Sequence, residues 1–147
     1  MVEAAAGHAA LAQQVEAIQK SLVREQCWVC WMTNNDAPPP LALSKEEMRL
    51  VHHDYLLDLE RRGILFAAGP FVDDKGHRQG AGMLIIRAKD RGEAEAIAFA
   101  EPYTKAGQRL MTLTPWQRNE GTVNLRLCFA DGVLEVDNRR YKLSPGV

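Results

Sequence analysis

His52-His53-Asp54-Tyr55-Leu56-Leu57-Asp58-Leu59-Glu60-Arg61-Arg62-Gly63-Ile64-Leu65-Phe66-Ala67-Ala68-Gly69-Pro70 reads as the second half of a helix, a glycine stop, a buried strand and a Gly-Pro turn. A helix advances about 100° per residue, so one face recurs at i+3, i+4 and i+7. Measured from His52, the residues Met48, Tyr55, Leu56 and Leu59 all fall within about 60°. His53 lies about 100° away and Asp54 about 160°, toward solvent. The helix therefore turns His52, and not His53, toward whatever it packs against. A core histidine with a satisfied hydrogen bond and a functional imidazole both fit that placement.

Ser44-Lys45-Glu46-Glu47 is a capping box, so the helix begins at 45 and runs to 62. Gly63 stops it, with Arg61 and Arg62 at the negative end of its dipole. A strand over 64–68 follows at once, and Gly69-Pro70 ends its regular part. The polar loop 73–80 leads to a third strand over 81–88, an antiparallel connection. Asp73 and Asp74 with one glycine fall short of a calcium-loop pattern, so a solvated hairpin carrying an exposed His77 is expected.

A second helix starts at Asp90 and covers 93–100. Pro102 interrupts it and suits the first position of a new helical turn, which puts Glu101 at the N-cap. A carboxylate there accepts backbone N–H bonds and stays ionised. Residues 110–113 form a fourth strand, closed by Pro115-Trp116. Before the helix, residues 26–33 make a first strand, apolar on both faces, and the run Asn34 to Pro40 breaks it with three prolines.

The order is β-α-β-β-α-β, a ferredoxin-like α+β fold with a four-stranded antiparallel sheet. Right-handed crossovers place both helices on one face of that sheet. Trp28 and Trp31 flank Val29 on a strand with no polar side, so a second copy of the chain is expected to cover the other face. The domain proper is then 26–118. Residues 1–25 are an accessory helix with an apolar stripe, Leu11, Val15, Ile18 and Leu22, covering a sheet face or a subunit boundary. Residues 119–147 are a C-terminal β-hairpin extension turning at Asp131-Gly132.

Apolar residues are 46% and charged residues 25% of 147, ordinary for one globular domain. A net charge of −1 gives no global field for nucleic acid or an anionic membrane. No apolar run approaches the roughly 18–20 residues that span a bilayer. The N-terminus is a poor secretory signal, so a cytoplasmic location is expected. Cys27, Cys30 and Cys128 are an odd, sparse set. Cys27 and Cys30 have redox spacing, but residues three apart on a strand face opposite ways, so inert buried thiols are expected. No glycine-rich loop opens a helix as a dinucleotide loop must. Neither metal nor other cofactor is therefore expected.

His52-x-x-Tyr55-Leu56-x-x-Leu59, then Gly63, Leu65 and Ala68-Gly69-Pro70, then Glu101-Pro102-Tyr103-x-x-Ala106-Gly107 and Pro115-Trp116, together and in order, resemble the YciI-like (YCII-related) proteins. The resemblance covers about 26–118 and implies a dimeric α/β barrel of ferredoxin-like subunits. It implies a site centred on a histidine and an aspartate, near a cleft between helices and sheet. Its histidine falls on His52. Its aspartate falls on Glu101, a departure that keeps the charge and moves the carboxylate one methylene out. Family members with an assigned reaction act on small cyclic or aromatic compounds by elimination or isomerisation.

On that basis His52 is the general acid/base and Glu101 the group that fixes its tautomer. Tyr55, Gly69, Pro70 and Tyr103 are the substrate-binding candidates. The chain is expected to be a small-molecule enzyme of lyase or isomerase type. Two alternatives share the scaffold: a ligand-binding or interaction module without turnover, and a haem or quinone handler with His52 as ligand.

Overall fold

A computed structural model of the protein describes residues 2–122, 125–128, 133–136 and 139–142. The chain divides into two units, Arg24–Arg118 and a second made of Met1–Val23 with Asn119–Val147.

In the first unit the order is β1 (Glu25–Asn34), α2 (Lys45–Arg61), β2 (Leu65–Val72), β3 (Arg78–Ile86), α3 (Arg91–Phe99), α4 (Pro102–Lys105) and β4 (Arg109–Arg118); α1 (Val2–Ser21) precedes them in the other unit. The sheet order is β2-β3-β1-β4, with every pairing antiparallel. This is the ferredoxin-like α+β arrangement, and within one chain the sheet is open rather than closed into a barrel.

Local chemistry sets the ends of α2. The Ser44 hydroxyl accepts from Glu47 N–H at 3.2 Å, and the Glu47 carboxylate accepts from Ser44 N–H at 2.8 Å. At the other end Gly63 takes φ +69. Its N–H donates to Glu60 C=O, while Ile64 N–H donates to Leu59 C=O, both at 2.9 Å. That is a Schellman stop, and it uses the Ile64 N–H, so β2 starts at Leu65 rather than at 64.

Three strands have limits that differ from the sequence reading. β2 passes through Gly69-Pro70 to Val72, with register breaks after Leu65 and after Pro70. A bulge absorbs the proline, which has no N–H to give a ladder. β3 begins at Arg78, three residues earlier than expected, and ends at Ile86, two residues earlier. β4 runs on through Pro115-Trp116, because as an edge strand it can carry a proline without losing a central ladder bond.

Trp28, Cys30 and Met32 of β1 pack with Leu84 and Ile86 of β3, Met111 of β4 and Ala94 and Ala98 of α3 into one core. Met48 and Leu59 of α2 are also buried. Trp28 Nε1–H donates to Ala88 C=O at 3.2 Å. Cys27 and Cys30 are free, fully buried thiols, and burial pushes Cys30 up to about 12. By strand alternation the other sheet face carries Cys27, Val29 and Trp31. Trp31 stacks on Phe71 with centroids 5.8 Å apart, and both rings remain exposed.

In the second unit, α1 ends at Ser21, whose hydroxyl donates to Ile18 C=O at 2.7 Å. Leu22 thus lies beyond the helix. Leu11, Val15 and Ile18 are exposed. The C-terminal part is an antiparallel three-stranded sheet, β5 (Leu125–Cys128), β6 (Val133–Val136) and β7 (Arg139–Lys142), one strand more than a hairpin. The turn expected at Asp131-Gly132 lies outside the described residues. No helix among the described residues is long and apolar enough to cross a membrane.

Candidate active site

Glu101 is 1% exposed and sits where α3 has ended and α4 begins. As N-cap it accepts from Tyr103 N–H at 3.1 Å through Oε1 and from Thr104 N–H at 2.8 Å through Oε2. The Thr104 hydroxyl donates to the same Oε2 at 2.8 Å. The remaining bond is long-range in sequence: His52 Nδ1 and Glu101 Oε1 are 2.7 Å apart. Burial alone would push this carboxyl up. The bonds from His52, from the Thr104 hydroxyl and from the two backbone N–H groups outweigh it and hold the carboxyl below the ordinary range.

An ionised carboxylate can only accept. His52 Nδ1 must therefore carry the proton and donate it to Oε1. This leaves Nε2 with a free lone pair whenever the ring is neutral. The imidazole is held from a second side by Tyr103, whose ring meets it edge-on at 5.1 Å. Two ring contacts and a charged hydrogen bond fix the imidazole, which keeps 13% of its side chain exposed.

That exposed part opens on a cavity of about 550 Å³ between α2 and the β2–β3 end of the sheet. Such a volume suits a small ligand. Leu56, Ala68 and Pro70 give it apolar walls, and Gly69 and Tyr103 also line it. Gly82 lies on the wall as well; a Cβ there would come 2.9 Å from the Gly69 carbonyl oxygen. A glycine is thus needed for β2 and β3 to approach this closely.

The structure brings His52, Gly69, Pro70 and Tyr103 to one cavity, with Glu101 behind the histidine. Tyr55 is not on the cavity wall. Its hydroxyl donates to Ile97 C=O at 2.6 Å, tying α2 to α3, and burial pushes its pKa up. His53, read as facing away from the site, does line the cavity, with its ring 5.3 Å from that of His52. The cavity wraps round the flank of α2, so a residue about 100° off the buried stripe still reaches it.

Sequence reasoning missed Arg49, Arg78, Arg109 and Thr104. Arg49 was within reach, three residues before His52 and so about 60° from it on the helix. Arg78 and Arg109 begin separate strands and come together only through sheet register. Among the described residues, no group of three or more His, Cys, Asp and Glu is arranged to hold a metal ion.

The family model for the YCII-related domain matches residues 27–117. No curated protein matches the chain. Among solved structures, 5-chloro-2-hydroxyhydroquinone dehydrochlorinase (TftG) from Burkholderia phenoliruptrix AC1100, in complex with 2,5-dihydroxybenzoquinone, is 19% identical to it. That likeness covers 61% of this chain and 92% of the other, with a TM-score of 0.41. The family match spans the sheet, both main helices and the residues around the His52 cavity, and the chain belongs to the YCII-related domain family.

Proposed function

We propose that this protein is a small-molecule enzyme that uses His52 as general acid/base, oriented by Glu101, on a small cyclic or aromatic compound. The observation that carries the reading is the 2.7 Å His52–Glu101 contact on the wall of an open cavity. A buried carboxylate that fixes one imidazole nitrogen presents the other to substrate, and a filled core would have no use for that arrangement.

Elimination or isomerisation fits such a base. Nε2 takes a proton from a carbon made acidic by a neighbouring carbonyl, and the C–H electron pair moves into the ring as a new double bond. In an elimination the leaving group departs with its own pair. In an isomerisation the imidazolium returns the proton to a different carbon. Both uses need a base whose lone pair is available near neutral pH.

The working form is a homodimer in which the exposed face carrying Trp31 and Phe71 is covered by a second copy, closing the two sheets into a barrel. Exposed aromatics stacked on a sheet face support this part of the reading.

The direct test is solvent deuterium exchange. The protein is incubated in D2O with a panel of cyclic ketones, lactones and halogenated ring compounds, and deuterium in recovered substrate or product is read by NMR. Wild type is expected to exchange or convert at least one compound, with His52→Ala at background. Activity surviving in His52→Ala would remove the histidine from the reaction.

A further inference from the structure

We propose that the His52 cavity selects ring compounds carrying an ionised oxygen, a carboxylate or a ring oxyanion, through Arg49, Arg78 and Arg109. This deepens the function proposed above and rests on taking the cavity as the place where His52 meets its substrate.

The whole chain is close to neutral, at −1. The cavity wall is not. Three arginines line it from three different elements, Arg49 from α2, Arg78 from β3 and Arg109 from β4. Glu60 is the one carboxylate among the lining residues. Glu101 lies behind the wall with its oxygens bonded to His52, Tyr103 and Thr104, and its single charge reduces the positive excess without cancelling it. The lining therefore carries an excess of two positive charges while its histidines are neutral. A concave site with low-dielectric walls focuses such a field.

Several arginines elsewhere are matched by carboxylates. Arg62 sits on Asp58, Arg91 on Glu95, and Arg87 and Arg118 share Glu25. Among the described residues, Arg49, Arg78 and Arg109 make no ion pair. Arg109 is nevertheless held in place. Its guanidinium lies over the Tyr103 ring at 4.4 Å, and among the described residues its other contact is a weak one to Met32 Sδ at 3.9 Å. The same Tyr103 ring meets His52 on its edge. One aromatic side chain thus spaces a fixed cation from a fixed imidazole.

That spacing suits a ring compound with an oxyanion at one end and an acidic C–H at the other. The guanidinium fork takes a planar carboxylate or enolate through paired N–H bonds. Leu56, Ala68 and Pro70 offer the ring body an apolar bed. Charge that develops on a ring oxygen when Nε2 removes a proton would also fall in the field of these arginines.

The test compares benzoate and tetronate with benzamide, a neutral ring of similar size, by calorimetric titration of the purified full chain. Both anions are expected to bind at least about tenfold tighter than benzamide, as loss of one charge-assisted hydrogen bond costs roughly that factor or more. Arg109→Gln and the exposed-site variants Arg49→Gln and Arg78→Gln should each weaken the anions about 10- to 100-fold and leave benzamide unchanged. If Arg109→Gln fails to fold, the other two variants carry the result. Equal binding of anions and benzamide, no binding of either anion, or an anion preference untouched by all three substitutions would overturn the proposal. His52→Ala separates the two readings. It is expected to keep the anion preference, so a protein with that preference but no turnover would sink the catalytic reading alone.

Discussion

His52 Nδ1 and Glu101 Oε1 are 2.7 Å apart across 49 positions of sequence, and the carboxylate that receives this bond is also the N-cap of α4. One acid therefore holds two things, a helical turn and an imidazole tautomer. With Glu101 ionised, neutral His52 should be protonated on Nδ1 alone. Long-range 1H–15N correlation of the neutral histidine ring should show a pyridine-type Nε2 and a pyrrole-type Nδ1 for this residue. Glu101→Gln, which can present either an oxygen or an amide to the ring, should give a mixture of tautomers. A wild-type His52 protonated mainly on Nε2 would mean that the pair is not as described.

The same carboxylate makes a pH prediction. Its ordinary pKa is 4.5, and the folded protein holds it lower, so the folded state resists protonation that the unfolded chain accepts. Stability contributed by this group is present above 4.5 and is lost as pH falls through the depressed folded value. Glu101→Gln cannot titrate. By denaturant unfolding, its deficit against wild type should be about 1–3 kcal/mol at pH 7, from the lost charged hydrogen bonds. The deficit should shrink below pH 4.5 as the wild type loses the advantage. A gap that stays constant from pH 7 to pH 3.5 would place the effect in packing instead.

How much of this was legible in the sequence depends on how local the cause is. The limits of α2 were written in Ser44, Glu47 and Gly63, because each acts on backbone groups within four residues. The antiparallel four-stranded sheet followed from the succession of elements. The extension of β2 past Pro70 and of β4 past Pro115 was not visible, because whether a proline ends a strand depends on which neighbours the strand has. At the site, His52 stood out by helical angle, but its partner was pointed to by family resemblance and not by any spacing. Arg78 and Arg109 were invisible for a third reason. Their meeting depends on β1 lying between β3 and β4, a fact of sheet register alone.

Glycine substitutions on the paired strands separate close approach from mere flexibility. At Gly82 a Cβ would come 2.9 Å from the Gly69 carbonyl oxygen, with Met32 Cε and Pro70 Cα at 3.5 Å. The nearest obstacle is backbone, so the strands must move apart, and Gly82→Ala should cost about 1–3 kcal/mol. At Gly69 a Cβ meets nothing within 4 Å and φ is ordinary. Gly69→Ala should leave stability within about 0.5 kcal/mol or raise it slightly by restricting the unfolded chain. Thermal melts of the two variants side by side decide it. Equal losses would show that the β2–β3 approach at the cavity is not tight.

The sheet face away from the helices tests the proposed dimer. Trp31 is 41% exposed and Phe71 37%, and they stack on each other, while Trp116 at 38% meets Phe66 edge-on at 6.2 Å. Large stacked aromatics left in water are costly, and covering them with an equivalent face from a second copy removes that cost. Sedimentation equilibrium at micromolar concentration should give twice the chain mass for wild type. Trp31→Glu puts a charge where the two faces would meet and should shift the protein to monomer, because an unpaired charge in such an interface carries a desolvation penalty of several kcal/mol. Its core is untouched, since Trp31 lies outside the buried cluster formed by Trp28, Cys30 and Met32. Circular dichroism should therefore stay unchanged as the mass halves. A wild type that sediments as a monomer, or a Trp31→Glu variant that remains a dimer, would move the interface elsewhere or remove it.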